Sequence, residues 1–294
     1  MADLENRVAV TPNSRFRIGS ISKSLTAAAL GRLVEQGKLD LDAPVQKYVP
    51  EFPKKKFPIT TRQLAGHIAG IRHYRGLEFR LAKRNSSVTE GLQIFKDDAL
   101  LFEPGTKYRY SSYGFNLVSA VVESVAKEPF LVHMRKRVFQ PLGMKDTCAD
   151  FTDRIIPNRV RFYSKSILRR TQNAPYVDNS YKWAGGGFLS TPSDLCRFAS
   201  AHLGTKFLKS KTIKMLWTSQ KTNDGKRTGY GIGWSVSRSR VGHGGGSVGG
   251  RSQLVVYPKQ RVILAITANV TRLNYRNIHT SIAQSFFKGG RSSR

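Results

Sequence analysis

Three strand-like runs in the C-terminal part of the sequence constrain the fold of this chain most strongly. After about residue 228 the sequence contains GYGIGWSV, SQLVVYP and RVILAITAN, which are joined by glycine-rich or Pro-Lys-Gln turns. Runs rich in β-branched and aromatic residues between such turns predict strands. We therefore expect a β-meander, followed by a closing helix over about residues 275–287.

The N-terminal part predicts a strand that leads into a helix. FRIGS (16–20) is strand-like, and a helix is expected from Ser20 to about Gln36, with Gly37 as a natural stop. Apolar residues keep a four-residue step along this helix: Ile21, Leu25, Ala29 and Leu33. A proline-rich connection follows and leads into a mostly helical middle segment, whose short helices are predicted over these ranges: 60–66, about 114–127, about 129–138 and about 191–203. Both ends of the chain are thus expected to build one α/β lobe, with a cleft against an inserted helical lobe.

The charge of the chain is strongly basic, since 49 Lys and Arg residues against 19 Asp and Glu residues give a net charge of +30. Such a field attracts polyanions, including anionic membrane surfaces. The basic residues are dispersed, and no zinc-finger, bZIP or homeodomain pattern is present, so specific nucleic-acid binding is not expected. No run approaches the ~18 apolar residues of a membrane span.

Metal and disulfide chemistry are not indicated by the sequence. Cys148 and Cys196 are the only cysteines, and we interpret both as small buried hydrophobic residues. No cluster of Cys, His and carboxylate residues has the spacing of a metal site, so neither a metal nor a cofactor is predicted.

The segment VGHGGGSVGG (241–250) contains two patterns of serine hydrolases, HGGG and G-x-S-x-G around Ser247. In α/β-hydrolases these patterns lie in separate loops, and the serine precedes a helix. Here they overlap, and the strand-like SQLVVYP follows. Ser247 is therefore a weak candidate for a nucleophile.

A stronger candidate is Ser20, which forms an S-x-x-K pattern with Lys23 at the start of the first helix. Residues three apart share one helix face, so the amine can reach the hydroxyl. A serine is a poor nucleophile until a base accepts its proton, and a lysine can do so when burial lowers its pKa. In isolation this common pattern is better explained by an N-cap serine and a solvated lysine, so the surrounding sequence has to decide.

The wider sequence resembles the serine β-lactamase and penicillin-binding-protein superfamily, in its class C-like branch. The resemblance extends over essentially the whole chain and rests on these segments: FRIGSISKSLT, ITTRQLAGHIAGI, FEPGTKYRYSSYGFNLVSAVVE, FQPLGMKDT and YVDNSYKWAGGGFLSTPSDL. It implies one β-lactamase/transpeptidase-like α/β (α+β) domain over residues 1–294, with an antiparallel sheet flanked by helices. The α/β lobe is expected from about 1–45 and 206–294, the helical lobe from about 46–205, and the active site between them.

The resemblance also implies roles for individual residues. Ser20 corresponds to the nucleophile, Lys23 to its proton partner, and Tyr110 of Tyr110-Ser111-Ser112 to a second acid/base group whose phenolate Lys23 would favour. His243-Gly244-Gly245 corresponds to the K-T-G strand motif. The backbone N–H groups of Gly246 and Ser20 would then hold the oxyanion, with Ser112, His243, Gly244 and Gly245 beside the substrate.

Several departures from the family pattern change the expected chemistry. Ser112 replaces an asparagine, so β-lactamase activity is not expected, and Asn116 lies one helical turn too far to replace it. His243 replaces a lysine and would be a pH-dependent anchor for a carboxylate. Lys127 stands where a glycine commonly ends a helix, which costs about 1 kcal/mol if φ is positive there. The N-terminal helix and first strand of the family are expected to be absent from this chain.

These observations predict a serine hydrolase that acts through an acyl-enzyme on ester or peptide bonds. The alternative is a catalytically silent member of the fold with a structural, self-assembling or membrane-associated role. Expected partners are a small-molecule or peptide substrate, further copies of the chain and an anionic membrane surface. The resemblance implies a mitochondrial location. His67 is interpreted as a core histidine, whereas Tyr181 and Trp183 either line the cleft or only pack.

Overall fold

The computed structural model describes residues 1–168, 170–273 and 278–289, and its elements alternate between helical and sheet regions. The helices are α1 (Ser22–Glu35), α2 (Thr61–Ala65), α3 (Ser112–Ala126), α4 (Phe130–Met134), α5 (Trp183–Gly186), α6 (Pro192–Ala201), α7 (Ser210–Leu216) and α8 (Ile278–Gly289). The strands are β1 (Phe16–Arg17), β2 (Cys148–Ala149), β3 (Tyr163–Lys165), β4 (Thr171–Asn173), β5 (Phe188–Ser190), β6 (Ser235–Val236), β7 (Val241–Ser247), β8 (Gly250–Tyr257) and β9 (Val262–Ala268). Short 3₁₀-helices join several of them, including Gly19–Ile21 and Ser180–Lys182.

The predicted meander is present as an antiparallel sheet with strand order β6-β7-β8-β9, but its first half differs from the prediction. Of the run GYGIGWSV only Ser235 and Val236 form a strand, and the glycine-rich segment predicted as a turn contains the seven-residue strand β7. Gly245 pairs with Ser252, and Leu254 pairs with Ala265, which fixes the register across the three long strands. α6 packs against β8 and β9, and α8 packs against β9. α6 therefore lies on this sheet, although the sequence placed residues 191–203 in the helical lobe. The predicted start of α8 near residue 275 lies outside the described residues.

α1 is the central helix of the fold. Its predicted apolar positions, together with Ile21 just before it, are fully or almost fully buried. The helix is buried on nearly all sides over Ser22–Gly31, so the contacts of neighbouring elements stabilise it more than its own amphipathic pattern does. Gly37 follows the helix with φ +68°, a conformation that favours glycine at a helix end.

A second, three-stranded sheet brings the middle of the chain back to its beginning. β5 lies between β1 and β2 and is antiparallel to both. The Ile18 N–H donates to the Phe188 carbonyl at 3.1 Å, directly before the 3₁₀-helix Gly19–Ile21. This pairing places the segment of α5 and β5 beside the start of α1.

The helices of the middle region are stabilised by capping hydrogen bonds at their N-termini and by an apolar core that they share with the main sheet. α2 begins with a capping box between Thr60 and Gln63, and the Ser111 hydroxyl caps α3 by accepting from the Gly114 N–H at 3.0 Å. One apolar cluster joins residues of α1, α3, α6 and the main sheet, such as Leu25, Phe198 and Leu254. The two lobes of the sequence interpretation therefore share one core.

The described residues also bear on metal, membrane and disulfide chemistry. Across residues 1–168, 170–273 and 278–289, no three His, Cys, Asp or Glu side chains are grouped so that they could hold a metal ion. None of the described helices is both long and apolar enough to cross a membrane. Cys148 and Cys196 are both free thiols and both partly buried.

Candidate active site

The candidate nucleophile Ser20 lies on the 3₁₀-helix Gly19–Ile21, between β1 and α1. Gly19 before it has φ +49°, and a Cβ at that position would lie 2.6 Å from the Gly246 carbonyl oxygen and 2.7 Å from the Gly246 nitrogen. Only a glycine allows this close approach of two backbones. Ser20 is thereby placed at the start of α1 and beside β7.

The Lys23 amine lies within hydrogen-bond distance of Ser20. Its Nζ is 3.0 Å from Ser20 Oγ, 3.1 Å from Ser112 Oγ and 2.6 Å from the Gly185 carbonyl oxygen. The side chain is fully buried, and it forms no ion pair with any carboxylate of the described residues. Burial, and secondarily the charge of Lys182, hold the pKa of Lys23 well below its ordinary value. A neutral amine in this position can accept the proton of Ser20.

Tyr110 lies against the same amine. Lys23 Nζ is 4.9 Å from the centre of the Tyr110 ring. The Tyr110 hydroxyl is buried and forms no hydrogen bond of good geometry within the described part of the chain. Burial raises the pKa of Tyr110, an effect that the nearby Ser20 side chain only partly offsets. The expectation that Lys23 favours a phenolate is therefore wrong for this state, and Tyr110 is a neutral phenol beside Ser20 and Lys23.

Ser112 is the third hydroxyl at the amine, at the N-terminal end of α3. Besides its contact with Lys23, its backbone N–H donates to His73 Nδ1 at 3.1 Å. Asn116, one turn further along α3, is almost completely buried, and its Nδ2 donates to the Tyr181 carbonyl at 2.6 Å. The amide of Asn116 is thus committed to a structural contact and does not replace the missing asparagine of the family motif.

The glycine-rich segment 241–247 forms β7, paired with β8 along its whole length, as the correspondence of His243-Gly244-Gly245 to the K-T-G strand motif implied. A Cβ at Gly242 would lie 2.2 Å from the Leu254 carbonyl oxygen, and one at Gly245 would lie 2.0 Å from the Ile18 carbonyl oxygen. Glycine is needed here because the strand is pressed against the backbone on both sides. β7 consequently brings Gly246 next to the Ser20 segment, as the proposed oxyanion hole requires.

His243 does not fit the expected role of a pH-dependent anchor. It is buried, its Nδ1 lies 2.7 Å from the Gly244 carbonyl oxygen, and its Nε2 lies 2.8 Å from the Tyr230 hydroxyl. Nδ1–H therefore donates to Gly244, and Nε2 accepts from Tyr230. Burial, followed by the charge of Lys23, lowers the pKa of His243 to about 3. His243 is neutral, and its ring contacts Tyr230 and the Gly244 carbonyl outside the pocket.

A pocket of about 260 Å³ opens beside Ser20. Tyr110, Ser112 and Gly246 line it, whereas His243, Gly244 and Gly245 are not among its lining residues. Sequence reasoning did not assign four basic residues of this pocket to the site: His73, Lys182, Arg251 and Arg272. Lys182 lies within YVDNSYKWAGGGFLSTPSDL, one of the segments that carried the family resemblance, and His73 lies two residues after another, ITTRQLAGHIAGI; these placements were the available signal.

Other candidates take structural positions. Ser247 lines the pocket, but its buried hydroxyl has no hydrogen-bond partner among the described residues, so no base activates it. His67 is a core residue that accepts from the Ser111 N–H at 3.2 Å and packs 4.2 Å from the Tyr110 ring centre. Tyr181 and Trp183 are buried and do not line the pocket.

Comparison with known proteins agrees with this arrangement. The sequence matches the beta-lactamase family over residues 1–283. It is 33% identical to the mitochondrial serine beta-lactamase-like protein LACTB of Homo sapiens, with 98% of this chain and 73% of that protein covered.

Two solved structures have the same fold. A penicillin-binding protein from Bacillus halodurans superposes with a TM-score of 0.82 at 24% identity and covers 97% of this chain and 89% of its own. A D-stereospecific amidohydrolase from Streptomyces superposes with a TM-score of 0.78 at 26% identity, covering 94% of this chain and 87% of its own. With Ser20 and Lys23 in contact on the first helix and the glycine strand beside them, this chain belongs to the beta-lactamase family, in its β-lactamase/penicillin-binding-protein fold.

Proposed function

We propose that this protein is a serine hydrolase that cleaves ester or amide bonds through an acyl-enzyme on Ser20. The observation that carries the proposal is the contact of Ser20 Oγ with the buried Lys23 Nζ at 3.0 Å. The lowered pKa of Lys23 supports it, because an amine acts as a base only when it is neutral.

The reaction begins with the attack of Ser20 Oγ on the substrate carbonyl carbon. A bond forms between them while the Ser20 proton passes to Lys23 Nζ. The backbone N–H groups of Ser20 and Gly246 would stabilise the oxyanion. When the intermediate collapses, the bond from carbon to the leaving group breaks, and the leaving atom takes up a proton from Lys23 through Tyr110. Water then attacks the ester carbonyl carbon and passes a proton through Tyr110 to Lys23. The bond from this carbon to Ser20 Oγ breaks, and Oγ takes the proton back from Lys23.

Two features favour esters and peptides over β-lactams. Ser112 supplies a hydroxyl that contacts Lys23, where the family motif has an amide. His243 is neutral and hydrogen-bonded on both ring nitrogens, so it supplies no positive charge to a carboxylate from β7.

The alternative, a catalytically silent protein, is favoured by one observation. The Tyr110 hydroxyl is buried and forms no hydrogen bond of good geometry in the described part of the chain, although Ser20 and Ser112 lie near it, and such a group usually forms one in an assembled site. The likeness to mitochondrial LACTB supports a mitochondrial location for this protein as well. Self-assembly and adhesion to anionic membranes stay predictions from the sequence.

The test is covalent labelling by a fluorophosphonate probe, combined with hydrolysis of p-nitrophenyl hexanoate. We expect one adduct, on Ser20 by peptide mass spectrometry, and loss of both label and turnover in Ser20→Ala. Ser24→Ala is the matched control, because Ser24 lies four residues after Ser20 but does not line the pocket. Its hydroxyl donates to the Gly233 carbonyl at 2.7 Å. An adduct on Ser247, or a folded protein that neither reacts nor turns over, contradicts the proposal.

A further inference from the structure

A second buried lysine, Lys182, lines the pocket of Ser20. It ends the 3₁₀-helix Ser180–Lys182, immediately before α5, whose Gly185 carbonyl holds Lys23. Its side chain is 5% exposed. The lysine therefore lines the pocket from the same segment whose Gly185 carbonyl contacts Lys23.

The Lys182 ammonium lacks an anionic partner. Its one hydrogen bond is long, 3.5 Å from Nζ to the Phe79 carbonyl oxygen, and its other neighbours are the faces of Tyr181 and Tyr74, with ring centres 4.9 and 5.5 Å away. It forms no ion pair with the described residues. Burying an ammonium without a counter-ion is costly, so its presence at a pocket wall calls for a ligand that compensates the charge.

Asp150, the acid whose charge raises the pKa of Lys182, is already paired. Asp150 accepts from Arg17 Nε at 2.6 Å and from Asn179 Nδ2 at 2.8 Å. Asp150 therefore offsets the charge of Arg17 and does not neutralise Lys182.

The rest of the pocket carries the same sign of charge. Among the described residues that line it, the charged ones are Lys182 within the wall and Arg251 and Arg272 at the exposed rim, with no Asp or Glu. A pocket with one sign of charge concentrates ligands of the opposite sign.

We propose that Lys182 binds an anionic group of the substrate, so that the pocket selects acyl substrates that carry a carboxylate. This inference rests on the proposed hydrolase function and names the substrate class of that site. The negative group would approach Nζ from the open side of the pocket, away from the two aromatic faces that the ammonium already contacts, while the scissile carbonyl lies at Ser20. Lys182 would thus determine specificity without taking part in the proton transfer.

The selectivity has a defined dependence on pH. Burial, followed by the charge of Arg17, lowers the pKa of Lys182 to about 7. Asp150 acts in the opposite direction, and the other titratable groups near Lys182 are Lys23, His73, Tyr74 and Tyr181, of which His73 has a pKa of about 4. The second-order rate constant kcat/KM reports the ionisation of the free enzyme. Preference for an anionic substrate should therefore fall as pH rises through about 7.

The experiment compares two esters of equal length, mono-p-nitrophenyl adipate and p-nitrophenyl hexanoate, which differ in a terminal carboxylate. We expect the wild-type ratio of kcat/KM, adipate over hexanoate, to exceed the ratio of Lys182→Met by about 10- to 100-fold at pH 6, the worth of a charge-assisted hydrogen bond. The wild-type ratio should fall about tenfold between pH 6 and pH 8.5. Lys182→Arg keeps the charge at both pH values and should keep the preference at pH 8.5.

The outcomes separate this inference from the function on which it rests. Hydrolysis of the hexanoate ester with a ratio that is the same in wild type and Lys182→Met, or with a wild-type ratio that is independent of pH, overturns the role of Lys182 and leaves the hydrolase intact. Folded wild-type protein that cleaves neither ester contradicts the hydrolase, and the inference fails with it. Because both esters are measured on each variant, an effect of Lys182→Met on folding or on Lys23 cancels in the ratio.

Discussion

Two lysines are buried in the same active site, and their surroundings differ. Lys23 Nζ has three oxygen atoms within 3.1 Å, from Ser20, Ser112 and Gly185. Lys182 Nζ has one carbonyl oxygen at 3.5 Å and two aromatic faces. Neither forms an ion pair with a carboxylate of the described residues.

The difference shows how the same side chain acquires two roles. Burial lowers the pKa of both lysines. The neutral Lys23 amine can donate to Ser112 and Gly185 while its lone pair faces the Ser20 hydroxyl, which is the arrangement of a base. Lys182 has no hydroxyl to deprotonate and faces open pocket, which is the arrangement of a binding group. The charge of Lys182 also lowers the pKa of Lys23, so the binding group assists the base.

The largest effect is expected from Lys23→Met. Loss of a general base lowers rates by about 10²- to 10⁴-fold, and we expect the rate of fluorophosphonate labelling at Ser20 to fall by about 10³-fold. The same substitution at Lys182 should lower labelling by this neutral probe less than about tenfold. Labelling rates by mass spectrometry, with circular dichroism to verify folding, measure the contrast. Equal losses in the two variants would abolish the distinction between base and binding group.

A smaller effect is expected on stability, from Lys182→Met. Folding holds the Lys182 amine neutral above pH 7, whereas the unfolded chain keeps it protonated up to about pH 10.4. The unfolded state then binds one more proton, so wild-type stability rises with pH in this window, by about 1.4 kcal/mol per pH unit. The variant lacks this contribution.

Urea unfolding at pH 7.5 and pH 9.0 measures the effect. The free energy of unfolding of wild type, relative to that of Lys182→Met, should rise by about 2 kcal/mol between the two pH values. The same direction is expected relative to Lys23→Met, because the folded state also disfavours the charge of Lys23. Parallel pH profiles for wild type and Lys182→Met would show that Lys182 stays charged in the folded protein.

The local part of the site was predictable from the sequence. The i, i+3 spacing of Ser20 and Lys23 is a property of one helix turn, and the two atoms are in contact as predicted. The position of Tyr110 beside them joins segments 90 residues apart, and it was reached through the family resemblance rather than through any local pattern.

Other features depend on contacts that no local pattern reveals. Glycines are unfavourable in strands, so the local pattern predicted a turn at 241–247, and only the resemblance to the K-T-G motif implied a strand there. Gly245 is required in this strand because the Ile18 backbone leaves no room for a Cβ. His243 was assigned a charge from its residue type, but burial beside Tyr230 keeps it neutral. Lys182 was missed because the sequence does not distinguish a buried lysine from the many exposed ones.

A third lysine, Lys127, lowers the stability of the protein for a different reason, namely the conformation of its backbone. Lys127 ends α3 with φ +53°, in the left-handed region, and its side chain is exposed. The sequence analysis predicted a cost at Lys127 if φ is positive there, because a glycine is usual at this position. The structure shows that φ is positive. Exposure removes the desolvation that acts on Lys23 and Lys182, so only the clash of Cβ with the backbone remains.

Lys127→Gly is therefore expected to stabilise the protein by about 1 kcal/mol. Lys127→Ala is the matched control, since it removes the charge and the long side chain but keeps Cβ, and it should give no such gain. Urea unfolding at pH 7.5 and pH 9.0 should show the same gain at both pH values, because no buried ionisation is involved. An equal gain in Lys127→Ala would show that the charged side chain, and not the clash of Cβ with the backbone, destabilises the wild-type protein. The proposed difference between Lys127 and the two buried lysines would then be wrong.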